Sequence, residues 1–163
     1  MTLQLAVQYA SARPAPGRSQ IRRWVRSTLA ALVDSSTTVG SDDAVTLTIR
    51  FVDEEEGRSL NRGFRDKDYA TNVLTFPYDD LGDTGGIEAD IVVCMPVVEA
   101  EAKAQDKPVS QHCGHLVVHG TLHACGFDHE DEAEADAMER IERVVLARFG
   151  IADPYRSESV AAR

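Results

Sequence analysis

The stretch from His119 to His129 is the feature that most constrains how this chain can fold. It reads HGTLHACGFDH and spaces three histidines as H-x3-H-x5-H, with Gly126 after the second. Two imidazoles four residues apart on a helix project from one face, about one turn apart. Gly126 can end that helix in a left-handed turn, which a residue with a Cβ would resist, and so return His129 toward the first two. The sequence therefore predicts a long helix, a glycine turn and a histidine cluster at their junction.

The three imidazoles have the spacing of metal ligands. Neutral imidazole is the commonest protein metal ligand, and three histidines without a fourth protein ligand describe an open, catalytic zinc site. We predict one Zn²⁺ on His119, His123 and His129, although three imidazoles also suit nickel and other divalent metals. His115 lies four residues before His119 on the same helix face. It is roughly 12 Å along the helix axis from His123, too far for both to bind one ion. We therefore expect His115 beside the site, behind a ligand or facing the substrate.

Gly120 argues against one familiar interpretation of this spacing. The metzincin protease signature is H-E-x-x-H-x-x-G-x-x-H, and this chain matches its histidine and glycine positions. The glutamate that serves those proteases as general base is replaced by Gly120, which has no side chain to offer. A peptidase of that class is disfavoured.

Bulk properties indicate an ordinary globular chain. Its 163 residues, 43% of them hydrophobic and 27% charged, suit one domain, predicted over residues 1–155 with a frayed tail at 156–163. No apolar run approaches the roughly 20 residues that span a bilayer, and the first residues lack a signal-peptide pattern. Three scattered cysteines, Cys94, Cys113 and Cys125, predict a reducing cytoplasm and no disulfides. Cys125 should turn away from the histidine face and pack as a small apolar residue.

Charge is distributed unevenly along the chain. The net charge is −10, which disfavours non-specific binding of nucleic acid. Residues 1–33 nevertheless carry five arginines and no acid. Two interpretations remain open for these arginines: a local face that binds RNA, or the solvated side of an amphipathic helix.

Hydrophobic periodicity predicts the order β-α-β-α-β-β-α-α-α. We predict strands near 3–9, 45–51, 72–76 and 90–95, with the last two forming a hairpin. Helices are predicted from a cap at Ser19, from a capping box at Asp53 through about Leu60, and near 97–105, 108–125 and 130–149. This pattern favours an α+β fold: a single domain with a mixed four-stranded sheet, helices packed on it, and the metal site on the long helix and the turn after it.

Acidic residues surround the start of the last helix. Glu130, Asp131, Glu132 and Glu134 complement the helix dipole, and a carboxylate metal ligand is the alternative. Asp128 stands beside the third histidine and could orient it.

Basic residues gather in the segment NRGFRDKDYATNVLTFPY, residues 61–78. A guanidinium offers a planar fork of donors for a phosphate and stays charged. A metal with a positioned arginine suits phosphodiester cleavage, whereas an isolated arginine there would be an ordinary surface residue in a loop.

The segment HLVVHGTLHACGFDH, with FRDKDYATNVLTFPY and ADIVVC upstream of it, resembles the bacterial YbeY family of rRNA-maturation endoribonucleases. The resemblance implies an α+β fold, zinc on His119, His123 and His129, and Arg65 as the catalytic arginine. It also implies single-strand-specific RNA cleavage in 16S rRNA 3′-end maturation and ribosome quality control. The expected partners are precursor 16S rRNA and the ribosome or its proteins, with neither DNA nor membrane. Phe127 departs from the family's usual tyrosine.

Two other functions stay open at this stage. The chain could be a ribosome-assembly factor with a structural zinc, or a metallohydrolase that acts on something other than RNA. For a nuclease, either a zinc-activated water or the ribose 2′-hydroxyl could attack the phosphorus, and the product termini distinguish the two.

Overall fold

The computed structural model of the chain describes residues 1–35, 38–78, 86–128 and 130–155. Within these residues, strands and helices follow the predicted order. The sheet order is β1-β2-β4-β3, with β1, β2 and β4 parallel and β3 antiparallel to β4. The predicted α+β fold, its mixed four-stranded sheet and the pairing of the third and fourth strands are confirmed. The elements are β1 Thr2–Tyr9, α1 Arg18–Asp34, β2 Ala44–Val52, α2 Glu54–Arg65, β3 Val73–Pro77, β4 Ile87–Cys94, α3 Met95–Ala104, α4 Val109–Ala124 and α5 Glu132–Ala147.

The sheet separates two apolar clusters of unequal size. In β2, Val45, Leu47, Ile49 and Phe51 are at most 1% exposed, as their alternation with polar residues predicts. They face the main core, in which α1 and α5 pack against α4 and α4 packs against β3 and β4. A smaller cluster around Val52, Leu74, Val92 and Cys94 includes Leu60 of α2. Among the residues described, no helix is long and apolar enough to span a bilayer.

One predicted helix start is wrong, and the capping box predicted for another helix does not form. Helix α1 begins at Arg18 with Gly17 as its N-cap, so Ser19 lies in the first turn rather than capping it. Asp53 is the N-cap of α2, but its side chain makes no capping bond. Its carboxylate instead accepts hydrogen bonds from the Ser11 hydroxyl and the Ala12 amide, because the end of β1 lies beside the start of α2.

The length of α2 also differs from the prediction. This helix continues past Leu60 to Arg65, and Asp66 follows it with a positive φ of 56°. Arg65 therefore projects from the last turn of a helix rather than from a loop. The helix rests near β4 and ends beside β3, so its extension is what brings Arg65 to the edge of the sheet.

Helix α4 lies at the centre of the domain. Most of its residues are buried, and Cys125 just after it is 4% exposed in the main core, the apolar role predicted for it. Burial raises the pKa of the Cys125 thiol to about 12, so the thiol keeps its proton. The domain limits 1–155 stay a prediction, and the tail at 156–163 lies outside the described residues.

Candidate metal centre

The turn that ends α4 has the predicted form. Gly126 has a φ of 97°, its amide donates to the His123 carbonyl (3.0 Å), and the Phe127 amide donates to the Leu122 carbonyl (3.1 Å). These bonds end the helix through a glycine in the left-handed region. His129, the predicted third ligand, lies outside the described residues, so its place in the site stays a prediction.

His119 and His123 face each other at the end of α4. Their Nε2 atoms are 3.0 Å apart and their ring planes are nearly perpendicular, at 80°. The Nδ1 of His119 lies 2.8 Å from Oε1 of Glu142, and the Nδ1 of His123 lies 2.7 Å from the Phe127 carbonyl. Both partners are acceptors, so each Nδ1 carries the proton and each Nε2 carries a lone pair.

This arrangement fits a metal ion. The two Nε2 atoms point at each other across 3.0 Å, so one cation can be bound by both. Two nitrogens on a tetrahedral zinc with bonds of about 2.1 Å would stand about 3.4 Å apart, close to what the ring atoms already show. The chemistry of the two donors is therefore that of a pair of metal ligands.

Phe127 contributes its main-chain carbonyl to the site, rather than its side chain. The carbonyl orients His123, while the ring is buried, 8% exposed, in the main core. The bond to His123 therefore does not need a side-chain hydroxyl at residue 127.

Glu142 of α5 is the site residue that sequence reasoning missed. It is fully buried, and its carboxylate contacts His119, His115 (Nε2 to Oε2, 2.8 Å) and the Tyr155 hydroxyl (2.7 Å). His115, His119 and Glu142 place three ligand-type atoms within 4.8 Å of one another, a second set able to hold a metal. His115 thus lies beside the site, as expected.

Hydrogen bonds keep the buried carboxylate ionised. Burial alone would raise the pKa of Glu142, but the bonds from His115 and His119 outweigh it and lower that pKa to about 2. Burial lowers the pKa of His115 despite the neighbouring Glu142, so this imidazole is neutral. A neutral His115 that donates from Nε2 leaves Nδ1 without its proton, and that atom is buried without a hydrogen-bond partner among the described residues.

Arg65 lies in the same cavity as the two facing histidines. It lines a cavity of about 590 Å³ together with His119 and His123, and its Nη2 donates to the Thr75 carbonyl of β3 (3.2 Å). Among the described residues this is the only bond that holds the guanidinium, which has five N–H donors. The remaining donors are available to an anion in the cavity.

The acidic residues around the start of α5 accept hydrogen bonds from backbone amides. The Asp131 carboxylate accepts from the Glu134 amide, and the Glu134 carboxylate accepts from the Asp128 amide, both at 2.8 Å. These bonds support the helix-terminus interpretation over the carboxylate-ligand alternative for Asp131 and Glu134. Glu130 lines the cavity. The proposed contact from Asp128 to His129 lies outside the described residues.

Known proteins are similar to this chain in sequence and in fold. The Endoribonuclease YbeY family model matches residues 10–150. A protein named Endoribonuclease YbeY from Cupriavidus pinatubonensis is 54% identical over 143 residues, 88% of this chain and 65% of that protein. One of the same name from Thiobacillus denitrificans is 46% identical, covering 95% of this chain and 97% of that protein. A Thermotoga maritima solution structure shares the fold, with a TM-score of 0.54, 24% identity, and 88% and 91% of the two chains covered.

The chain spans less than two thirds of the length of the three Cupriavidus relatives, 65%, 65% and 66%. The family model nevertheless covers strands β2 to β4, all five described helices and the turn after α4. The family model and the similar relatives show that the chain belongs to the Endoribonuclease YbeY family.

Proposed function

We propose that this protein is a zinc-dependent endoribonuclease that cleaves single-stranded RNA. His119, His123 and His129 hold one Zn²⁺, and Arg65 stabilises the phosphate. The observation that carries the proposal is the cavity that Arg65 lines together with the facing imidazoles of His119 and His123. The family's name supports RNA as the substrate class.

Each protein group has a defined task in this proposal. His119 and His123 hold the metal through Nε2, because their Nδ1 atoms are occupied by Glu142 and Phe127. When bound, the metal polarises a phosphoryl oxygen and lowers the pKa of a water molecule. Arg65, anchored on the Thr75 carbonyl, directs its other donors at the non-bridging oxygens, where charge develops during cleavage.

We further propose that the substrate is precursor 16S rRNA and that the protein acts in 3′-end maturation and ribosome quality control in the cytoplasm, with the ribosome or its proteins as partners. The resemblance of the histidine and arginine segments to the family supports this role. Comparing cleavage of a precursor 3′-end RNA with its DNA counterpart tests it. Cleavage of the DNA with equal efficiency would contradict the assignment.

Removing the metal is expected to abolish cleavage of single-stranded RNA. Protein treated with a chelator should be inactive and should recover with one equivalent of Zn²⁺, because in this proposal the ion is the group that activates the attacking water. Product ends should be mapped at the same time, since a 2′,3′-cyclic phosphate indicates attack by the ribose hydroxyl. Stoichiometric zinc without any cleavage would instead support the assembly-factor alternative.

Arg65→Ala is expected to reduce kcat for RNA cleavage by about 100- to 1000-fold, the usual cost of losing one donor to a developing oxyanion. Zinc affinity should not change, because the guanidinium binds Thr75 and not a histidine. Arg62→Ala is the matched control, because Arg62 lies one turn earlier on α2 and lines a different cavity. Equal activity of the two variants would remove Arg65 from the proposed mechanism.

A further inference from the structure

We propose that Glu142 is a positioning residue that fixes the ring orientation and the tautomer of His119, and that the C-terminal segment supports it through Tyr155. This inference deepens the proposed function and rests on it, because it assumes that Nε2 of His119 is a metal ligand. It assigns a role to a buried acid and to a part of the chain that family membership alone does not explain.

Both carboxylate oxygens of Glu142 accept hydrogen bonds. Oε1 accepts from the Nδ1 of His119 (2.8 Å), while Oε2 accepts from the Nε2 of His115 (2.8 Å) and from the Tyr155 hydroxyl (2.7 Å). A carboxylate buried without partners would cost several kcal/mol. Here three donors from α4 and the C-terminal segment satisfy it, so its position is fixed by the fold.

That position determines which nitrogen of His119 faces the cavity. A carboxylate at Nδ1 retains the proton on that atom and leaves the lone pair on Nε2, beside the Nε2 of His123. Carboxylate partners of metal-bound histidines fix the tautomer and raise the basicity of the ligand. His123 receives the same orientation from a neutral carbonyl, so His119 is the more electron-rich member of the pair.

Glu142 acts on the far side of the ring from the proposed ion. The alternative is that Glu142 is itself a ligand, in a site with His115 and His119. The contacts from both imidazoles to the carboxylate are 2.8 Å, the length of charge-assisted hydrogen bonds, and each carboxylate oxygen is already engaged. We therefore favour positioning over coordination, and the two predict different behaviour of the variants.

Tyr155 is held from several directions. Its ring meets His115 edge-on, with centroids 5.6 Å apart, and the Arg143 guanidinium lies 5.5 Å from the ring centroid. Its amide donates to Asp153 (2.9 Å), which also accepts from Arg143 (3.0 Å). The segment after α5 is thus attached to that helix, and it places a hydroxyl donor on Glu142.

Glu142→Gln tests the proposal, with Asp136→Asn at an exposed position of the same helix as the matched control. Zn²⁺ affinity should be measured by competition with a chromogenic chelator, and the ligand set by the absorption bands of Co²⁺ bound in place of zinc. We expect Glu142→Gln to bind zinc about 10- to 100-fold more weakly, the range for removing such a partner. The cobalt bands should keep their position, and Asp136→Asn should match the unchanged protein.

Tyr155→Phe provides a milder second variant should Glu142→Gln fail to fold, which urea unfolding of the metal-free proteins will show. It deletes one donor, and a several-fold loss of zinc affinity is expected. Unchanged affinity in the folded variants, or cobalt bands that shift when Glu142 is replaced, overturns the positioning role. If the unchanged protein binds no metal, the proposed function fails; if it binds metal but does not cleave RNA, only the nuclease activity fails.

Discussion

His123→Ala is expected to weaken zinc binding by about 100- to 1000-fold and to reduce RNA cleavage to background. Structural zinc sites release about 10–16 kcal/mol, so each of four ligands supplies about 2.5–4 kcal/mol. At about 1.4 kcal/mol for each tenfold change, losing one ligand has the stated effect on affinity. The fold should survive, because in the metal-free state the substitution removes mainly one hydrogen bond to the Phe127 carbonyl, worth about 1 kcal/mol. Calorimetric zinc titration and cleavage at limiting zinc measure the two effects.

His115→Ala is the matched control for His123→Ala, because both residues lie on the same face of α4. The Nε2 of His115 binds Glu142 rather than the facing pair, so its loss should weaken zinc binding by less than about tenfold. The reverse result, with His115→Ala losing the metal and His123→Ala retaining it, would place the ion between His115, His119 and Glu142. The pair of variants therefore distinguishes the two candidate sites.

The parts of the site that sequence predicted are those encoded locally. The facing of His119 and His123 follows from their four-residue spacing on α4, and the turn follows from Gly126, which has a φ of 97°. Each depends on only a few consecutive residues, so neither requires knowledge of how the helices pack. His129 belongs to the same local pattern and stays a prediction.

The parts that sequence did not predict depend on packing between distant segments. Glu142 is 23 residues from His119 and meets it only because α5 packs against α4. One signal was present: Glu142 lies between Met138 and Val145, which are 1% and 0% exposed on the buried face of α5. A carboxylate inside an apolar stripe indicates a buried charge with a partner, since an unpaired one would be too costly.

In the fold, too, sequence predicted what local patterns determine and missed what tertiary contacts determine. Alternation located β1 and β2, short apolar runs located β3 and β4, and the antiparallel pairing of β3 with β4 was predicted from their order. The predicted end of α2 at about Leu60 was wrong because the helix has few apolar residues after that point, and its last turn is held instead by contact with the sheet edge at Thr75. Helix ends without a local signal need tertiary contacts to define them.

Gly120→Glu, which introduces the acid of the protease signature, is expected to abolish folding. Even a Cβ at this position would lie 2.9 Å from Cγ2 of Ile91, a fully buried β-branched residue that cannot move aside. Overpacking alone costs about 1–3 kcal/mol. A buried, unpaired carboxylate adds several more, against a typical total stability of about 5–15 kcal/mol. Gly120 therefore lets α4 approach β4 closely, and the space beside it cannot hold the glutamate that serves a metzincin as base.

Gly120→Ala isolates the packing effect from the charge. We expect its urea midpoint to fall by an amount equivalent to about 1–3 kcal/mol in metal-free protein. Gly63→Ala is the matched control, because Gly63 is an exposed residue of α2 with no atom within 4 Å of its Cβ position. That substitution should stabilise the protein by about 0.5–1 kcal/mol, since alanine loses less backbone freedom than glycine in a helix. If Gly120→Ala unfolds at the same urea concentration as the unchanged protein, the close approach is not what requires glycine, and the protease acid is absent for a reason other than space.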